Sequence, residues 1–163
     1  MLDDLLAPGL KLVVCGTAAG AESAAIRAYY AGPGNKFWSI LFRIGLTPRQ
    51  LAPAEYCSLL RYGIGLTDIA KGVSGSDSSL PRDSYDRGGL FGRIERFQPT
   101  VLCFNGKKSA EVYLLRDVEY GLQPETIGRT KLFVAPSTSG AANGYWDQSR
   151  WLDLTALVIT TRA

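Results

Sequence analysis

The chain has 163 residues and a formal net charge of +3, with 18 lysines and arginines against 15 aspartates and glutamates. It has no histidine and three cysteines, Cys15, Cys57 and Cys103. Histidine-dependent catalytic triads, histidine-ligated zinc sites and four-cysteine metal sites are therefore excluded. The length predicts a single domain over residues 1–163. Its chemistry must use carboxylates, hydroxyls, amides and backbone dipoles.

The amino-terminal sequence, Met-Leu-Asp-Asp-Leu-Leu-Ala-Pro-Gly, is acidic and lacks the long apolar run of a secretory signal. No stretch approaches the roughly 20 apolar residues that a membrane span requires. We therefore expect a cytoplasmic protein with reduced cysteines and no membrane partner.

The first half of the chain predicts one buried strand followed by short helices. Leu12–Cys15 is a short apolar run that ends at Gly16, which is typical of a buried strand. Asn35 has the side chain of a helix cap. The other elements expected here are a loop over 17–34, a helix over 36–44, a short helix over 53–60, and a loop with a short strand over 62–70.

The second half predicts two more buried strands, Val101–Phe104 and Lys131–Ala135. Residues 72–87 are polar and rich in serine, glycine and aspartate, so we expect an exposed loop there. The expected helices lie over 90–97, 107–116 and 146–159. Strands that alternate with helices predict an α/β fold, with a mostly parallel central sheet covered on both faces.

Small polar residues follow each of the apolar strands, in the segments Gly16–Gly20, Asn105–Lys107 and Ser137–Gly140. Ligands of parallel sheets bind at the carboxyl ends of the strands, so we expect these loops to meet in one site. Backbone N–H groups of the first loop can bind a ligand oxygen, although its glycines also suit a tight turn.

Two adjacent tyrosines, Tyr29 and Tyr30, precede a Pro-Gly turn. Either ring can stack on a planar base, with core packing as the alternative. Core packing is the expectation for Phe37 and Trp38.

Several segments resemble the mismatch-specific, thymine-DNA glycosylase-like family of the uracil-DNA glycosylase superfamily. They keep the family's order and spacing over nearly the whole chain. They are Leu5–Gly16, Pro33–Trp38 (Pro-Gly-Asn-Lys-Phe-Trp), Tyr62–Thr67 (Tyr-Gly-Ile-Gly-Leu-Thr), Phe104–Lys107 and Val134–Gly140. The resemblance implies a three-layer α/β/α domain that hydrolyses damaged bases, above all uracil, from double- or single-stranded DNA without a metal or cofactor. We expect it to act as a monomer.

The resemblance also implies roles for individual residues. Tyr30 would stack on the base after it leaves the helix, and Ser23 would line the pocket beside it. Asn35 is a further candidate for substrate binding, and Lys107 and Asn143 are candidates for DNA binding. The backbone amides that would stabilise the departing base belong to Gly16, Thr17, Ala18, Ala19 and Gly20.

The first family motif, Gly-Ile-Asn-Pro-Gly, departs here to Gly16-Thr-Ala-Ala-Gly20. The family's asparagine positions the attacking water, and the side chain of Ala18 in its place has no polar atom. Asp68 follows the Tyr62–Thr67 stretch and is the candidate to take over this role. The alternatives are that Asp68 only bonds a local turn, or that Glu22 or Asp147 acts instead.

The second motif, Asn-Pro-Ser-Gly-Leu in the family, is Ser137-Thr-Ser-Gly-Ala141. Ser139 and Gly140 are retained as DNA contacts. Ser137 replaces the asparagine and is assigned with Asp68 to the catalytic residues. Ala141 replaces a leucine that fills the gap left by base flipping, and a methyl group fills that gap poorly. The sequence therefore predicts weak discrimination of the opposing base.

Two other functions remain open on these residues. Ala18 also suits a non-catalytic protein that binds damaged or single-stranded DNA. The glycine-rich loops alone suit a nucleotide- or phosphate-binding enzyme unrelated to DNA. Among glycosylases, a second deaminated base such as hypoxanthine is an alternative substrate.

Overall fold

Five strands form the central sheet in the computed structural model, which describes residues 2–71, 74–75, 80–81 and 84–160. The sheet order is β2-β1-β3-β5-β4, and all neighbouring pairs are parallel except β4 and β5. The strands are β1 (Leu12–Gly16), β2 (Ile64–Asp68), β3 (Val101–Asn105), β4 (Gly121–Ile127) and β5 (Thr130–Ala135).

Within the described residues, five α-helices and two 3-10 helices of ten and six residues connect and cover these strands. The α-helices are α1 (Ala21–Ile26), α2 (Phe37–Arg43), α3 (Arg87–Phe97), α4 (Lys107–Leu114) and α5 (Gln148–Thr160). The 3-10 helices are Pro53–Tyr62 and Gly140–Tyr145.

Helices cover both faces of the sheet because successive strand residues point to opposite sides. On β1, Leu12 and Val14 pack in one core cluster with aromatic and aliphatic residues of α2 and α5. Val13 and Cys15 point the other way and pack with Leu90 of α3 and with α4. The three-layer α/β/α sandwich with a mostly parallel sheet is therefore confirmed.

The apolar strand predictions are confirmed, but three elements were missed. The predicted loop over 17–34 contains α1, and β4 forms an antiparallel edge strand that no apolar run indicates. The 3-10 helix 140–145 precedes the last helix, which begins at Gln148 rather than at Trp146.

Half of the predicted exposed loop over 72–87 falls outside the described residues, since 72–73, 76–79 and 82–83 are not among them. The described part ends where Asp86 caps α3 by accepting a hydrogen bond of 2.8 Å from the Gly89 amide. Within the described ranges, no helix is both long and apolar enough to cross a bilayer.

Candidate active site

The loops after β1, β3 and β5 surround one cavity of about 700 Å³ at the carboxyl ends of the strands. The expected convergence of these loops is confirmed. The cavity lining includes these residues that the sequence singles out: Gly16, Thr17, Ala18, Ala19, Gly20, Glu22, Ser23, Tyr29, Tyr30, Asn35, Asp68, Lys107, Ser137, Ser139, Gly140 and Ala141. Asn143 does not line it.

The loop after β1 is held in place through its carbonyl oxygens. Those of Gly16, Thr17 and Ala19 accept hydrogen bonds of 3.0, 2.7 and 2.9 Å from the amides of Ile69, Ala70 and Gly75 respectively. The segment that follows β2 therefore fixes the backbone that carries the altered first motif.

Asp68 is the last residue of β2, and its side chain is only 6% exposed although it lines the cavity. Burial raises the pKa of its carboxyl from the ordinary 3.8 to about 6. Lys71 and Arg93 oppose this increase by attracting the carboxylate, whereas the negative charge of Asp4 adds to it. A carboxylate with such a pKa can accept a proton near neutral pH.

The two cations near Asp68 are themselves paired with Asp4. The Asp4 carboxylate accepts hydrogen bonds from Lys71 Nζ and, at 2.6 Å, from Thr67 Oγ1, and it lies 3.3 Å from Arg93 Nε. Arg93 also donates a 3.0 Å hydrogen bond to the backbone carbonyl of Asp68. This arrangement fixes the end of β2 and leaves the Asp68 carboxylate without a full counter-charge of its own.

Tyr30 and Tyr29 have different environments. Tyr29 is 2% exposed and donates a 2.9 Å hydrogen bond to the Asp3 carbonyl, so it belongs to the core. The centres of the Tyr30 and Phe37 rings lie 4.1 Å apart, and Tyr30 lines the cavity. The backbone of Tyr30 is in the left-handed region, at φ 54°. Burial, and next the Asp68 charge, raise the pKa of Tyr30 well above its ordinary value, so its hydroxyl stays protonated.

Two predicted substrate contacts also hold the cavity wall. Ser23 Oγ accepts a 2.9 Å hydrogen bond from the Ala31 amide. Asn35 Oδ1 accepts one of 3.0 Å from the amide of Phe37, the first residue of α2, although Lys36 and not Asn35 stands at the cap position of that helix. These bonds position the segment that carries Tyr30.

Asn105, at the end of β3, connects the loop after β3 to the second motif. Its amide accepts a 3.0 Å hydrogen bond from the Thr138 backbone and donates another of 3.0 Å to Thr138 Oγ1. Gly106 has φ 103°, and a Cβ there would lie 3.1 Å from Ser137 Cβ. The sequence predicts Asn105 at the site because its loop follows an apolar strand. No sequence signal indicates its two hydrogen bonds to Thr138.

The second motif has its own internal hydrogen bonds. Ser137 Oγ accepts a 3.2 Å bond from the Ser139 amide, and Ser139 Oγ accepts one of 3.2 Å from the Ala141 amide. Gly140 packs closely on the Pro33–Gly34 turn, where a Cβ would lie 3.2 Å from the Pro33 carbonyl oxygen. A substituted residue 140 would therefore disturb the junction of the two motifs.

Lys107 and Asn143, the polar side chains predicted to contact DNA, differ in their relation to the cavity. Lys107 lines the cavity, and its Nζ lies 4.6 Å from the centre of the Tyr120 ring. Asn143 is exposed on the 3-10 helix beyond the cavity, where Lys36 Nζ donates to its Oδ1.

The two weaker carboxylate candidates are less well placed. Glu22 is exposed at the cavity rim. Asp147 is exposed, does not line the cavity, and accepts hydrogen bonds of 2.6 and 3.0 Å from Ser149. In the part of the chain that the structure describes, no group of three or more cysteine, aspartate or glutamate side chains could hold a metal ion.

Comparison with known proteins agrees with this fold. The structure of a candidate uracil DNA glycosylase from Methanosarcina acetivorans, solved by solution NMR, matches with a TM-score of 0.69 and 21% identity over 96% of each chain. At that identity the match supports the fold alone. Residues 4–156 match the model of the uracil DNA glycosylase superfamily. The chain therefore belongs to the uracil DNA glycosylase superfamily.

Proposed function

We propose that this protein is a monofunctional uracil-DNA glycosylase of the mismatch-specific branch. It would hydrolyse the N-glycosidic bond of uracil in double- or single-stranded DNA and leave an abasic site. The observation that carries the proposal is the Asp68 carboxylate, which is buried at the cavity with a pKa near 6, whereas the side chain of Ala18 on the same cavity has no polar atom. We also propose that the enzyme acts as a cytoplasmic monomer without metal or cofactor.

The substrate base must leave the helix before it can enter a cavity lined by the loops that follow three of the strands. Tyr30 would stack on the base, while Ser23 and Asn35 shape the wall around it. Ser139, Gly140 and Ala141 would meet the DNA at the rim, with the Lys107 ammonium attracting the backbone.

Bond cleavage places positive charge on the sugar and negative charge on the departing base. The backbone amides of the Gly16–Gly20 loop would stabilise the base anion at little reorganisation cost, because hydrogen bonds from the Ile69, Ala70 and Gly75 amides already fix the loop. The Ser137 hydroxyl would contact the base, directly or through water.

Water would complete the reaction. Its oxygen bonds to C1′ of the sugar, the N-glycosidic electron pair leaves with the base, and the water proton passes to Asp68. The ionised carboxylate also stabilises the positively charged sugar.

The experiment is a single-turnover assay of free base released from oligonucleotides that contain uracil. Single strands, U:G and U:A duplexes are compared, with hypoxanthine in the same sequence as the alternative base. Uracil release sensitive to Asp68→Ala supports the proposal. Release of hypoxanthine without release of uracil would show that hypoxanthine, rather than uracil, is the substrate base. Binding without release of either base would favour a non-catalytic DNA-binding protein, the candidate that Ala18 favours.

A further inference from the structure

The amino-terminal segment places a second carboxylate beside the end of β2, which is an edge strand of the sheet. Leu5 and Leu66 exchange two backbone hydrogen bonds of 2.9 Å in an antiparallel bridge. Because the bridge is antiparallel, Asp4 lies beside Thr67, and its carboxylate accepts a 2.6 Å hydrogen bond from Thr67 Oγ1. Asp4 is therefore held by the residue that directly precedes Asp68.

Both cations near Asp68 form their ion pairs with Asp4. Lys71 Nζ donates to Asp4 Oδ1, and Arg93 Nε lies 3.3 Å from Asp4 Oδ2. Arg93 reaches this position from α3 and donates a 3.0 Å hydrogen bond to the backbone carbonyl of Asp68. The exposed fractions of the side chains are only 22% for Asp4, 25% for Lys71 and 20% for Arg93, so salt screens these charges less than charges on the surface. Two cations and one carboxylate give this cluster a net charge of +1, and without the Asp4 charge it would carry +2.

The other titratable side chains around Asp68 lie outside this cluster. They are Cys15 on β1, Tyr29 and Tyr30 after α1, and, on the same cavity, Glu22, Lys107 and Lys108. Burial raises the pKa of the cysteine and of both tyrosines, so these three side chains stay neutral near pH 7. The cavity charges belong to α1 and α4 and stay the same when residue 4 is substituted. A change at Asp4 therefore alters the charge around Asp68 only through the cluster.

We propose that Asp4 is a positioning residue that sets the pH at which Asp68 becomes a base. Its carboxylate occupies the side chains of Lys71 and Arg93, so that neither cation pairs with the Asp68 carboxylate. The inference rests on the proposed glycosylase function, in which ionised Asp68 accepts a proton from water. A neighbouring negative charge disfavours ionisation of a carboxyl, and an unpaired neighbouring cation favours it. Without the Asp4 charge, Asp68 would ionise at lower pH and would be a weaker base.

The test is Asp4→Asn, which removes the charge and keeps an oxygen that can accept the Thr67 hydrogen bond. Carboxyl-carbon NMR of isotope-labelled protein follows the titration of Asp68, whose signal is assigned by its loss in Asp68→Asn. We expect the midpoint of this titration to fall by about 0.5–1 pH unit. The midpoint of the single-turnover rate of uracil release should fall by the same amount. Asp3→Asn, which removes an equal charge from the exposed residue next to Asp4, is the matched control and should leave both midpoints in place.

Lys71→Met tests the opposite sign, because it removes a cation and leaves the Asp4 charge, so both midpoints should rise. A merely structural role for Asp4 would lower the rate at every pH and leave both midpoints where they are in the wild type. An NMR midpoint that stays unchanged or rises in Asp4→Asn would overturn the inference, and so would an NMR shift that the rate profile does not follow. Either result leaves the glycosylase function intact. If wild type releases no uracil, the proposed function fails, and the NMR titration alone then decides whether Asp4 acts on Asp68.

Discussion

The Asp68 carboxylate lies over Gly16 so closely that a Cβ on residue 16 would stand 2.8 Å from Asp68 Oδ1. Real Cβ atoms essentially never approach an oxygen that closely, so residue 16 and the carboxylate depend on each other. The first glycine of the altered motif thus leaves room for the side chain to which we assign the missing asparagine's role.

Gly16→Ala tests this packing. The added methyl group must displace the Asp68 carboxylate or the Tyr30 hydroxyl. We expect a loss of about 1–3 kcal/mol in the free energy of unfolding, together with slower uracil release. Chemical denaturation and the single-turnover assay measure the two effects. Gly88→Ala serves as the control, because a Cβ there meets no atom within 4 Å. Equal rates of uracil release by wild type and Gly16→Ala would contradict the close approach of the Asp68 carboxylate to residue 16.

The rate should depend on pH through Asp68. Its pKa near 6 means that the carboxylate can accept a proton above about pH 6 and is already protonated below it. We expect the single-turnover rate of the wild type to rise with pH, with a midpoint near 6. Asp68→Asn should be slower and lack this transition. A transition that persists unchanged in Asp68→Asn would assign it to another group.

The same carboxyl should make stability depend on pH. The folded state binds this proton more tightly than the unfolded chain, in which the pKa of the carboxyl is near 3.8. The protonated carboxyl therefore contributes its full stabilisation below about pH 3.8, and this contribution is lost as the pH rises through about 6. We expect Asp68→Asn to be more stable than wild type by roughly 1–3 kcal/mol at pH 8. Denaturation at pH 8 and pH 4 measures this difference, which should shrink at pH 4. A less stable variant at pH 8 would contradict the buried, uncompensated charge.

Asn105→Ala should loosen the second motif. The substitution removes both bonds to Thr138 and leaves a buried hydroxyl and a backbone amide without these partners. We expect unfolding to become easier by about 1–3 kcal/mol, with slower base release. Asn143→Ala, at an exposed position outside the cavity, is the matched control for thermal denaturation. Similar melting temperatures for wild type and Asn105→Ala would show that the loop is held by other contacts.

Strand preference should follow from Ala141, which is exposed at the cavity rim. Its methyl group fills the gap in a duplex poorly, so we expect comparatively good activity on single strands and weak discrimination of the opposing base. Ala141→Leu should raise the rate on U:G and U:A duplexes relative to single strands. The three substrates are compared under single-turnover conditions. A preference of wild type for U:G above tenfold would contradict this expectation.

The sequence predicted the parts of the fold that have strong local signals. β1, β3 and β5 are apolar runs buried on both faces, and Gly45 follows a helix whose apolar residues recur at helical spacing. β4 has no such pattern, because it is an edge strand that contains Pro124 and a register shift between Leu122 and Thr126. An edge strand tolerates proline, since one side of it needs no partner.

The candidate site was predictable in its location but less so in its contacts. Parallel-strand topology alone brings together loops from distant parts of the chain, and the family resemblance singles out Asp68 and Tyr30. The burial of Asp68, the pairing of its neighbouring cations with Asp4, and the burial of the Tyr30 hydroxyl depend on side chains from four separate segments. No spacing in the sequence encodes such three-dimensional contacts.

The most direct test of the account is the single-turnover rate of uracil release by wild type and Asp68→Ala on one oligonucleotide. Glu22→Ala, at the exposed rim, is the matched carboxylate control. The account predicts that wild type releases uracil, that Asp68→Ala is at least a hundredfold slower, and that Glu22→Ala is close to wild type. Uracil release by Asp68→Ala at the wild-type rate would contradict the account, because the buried carboxylate would then have no part in the chemistry.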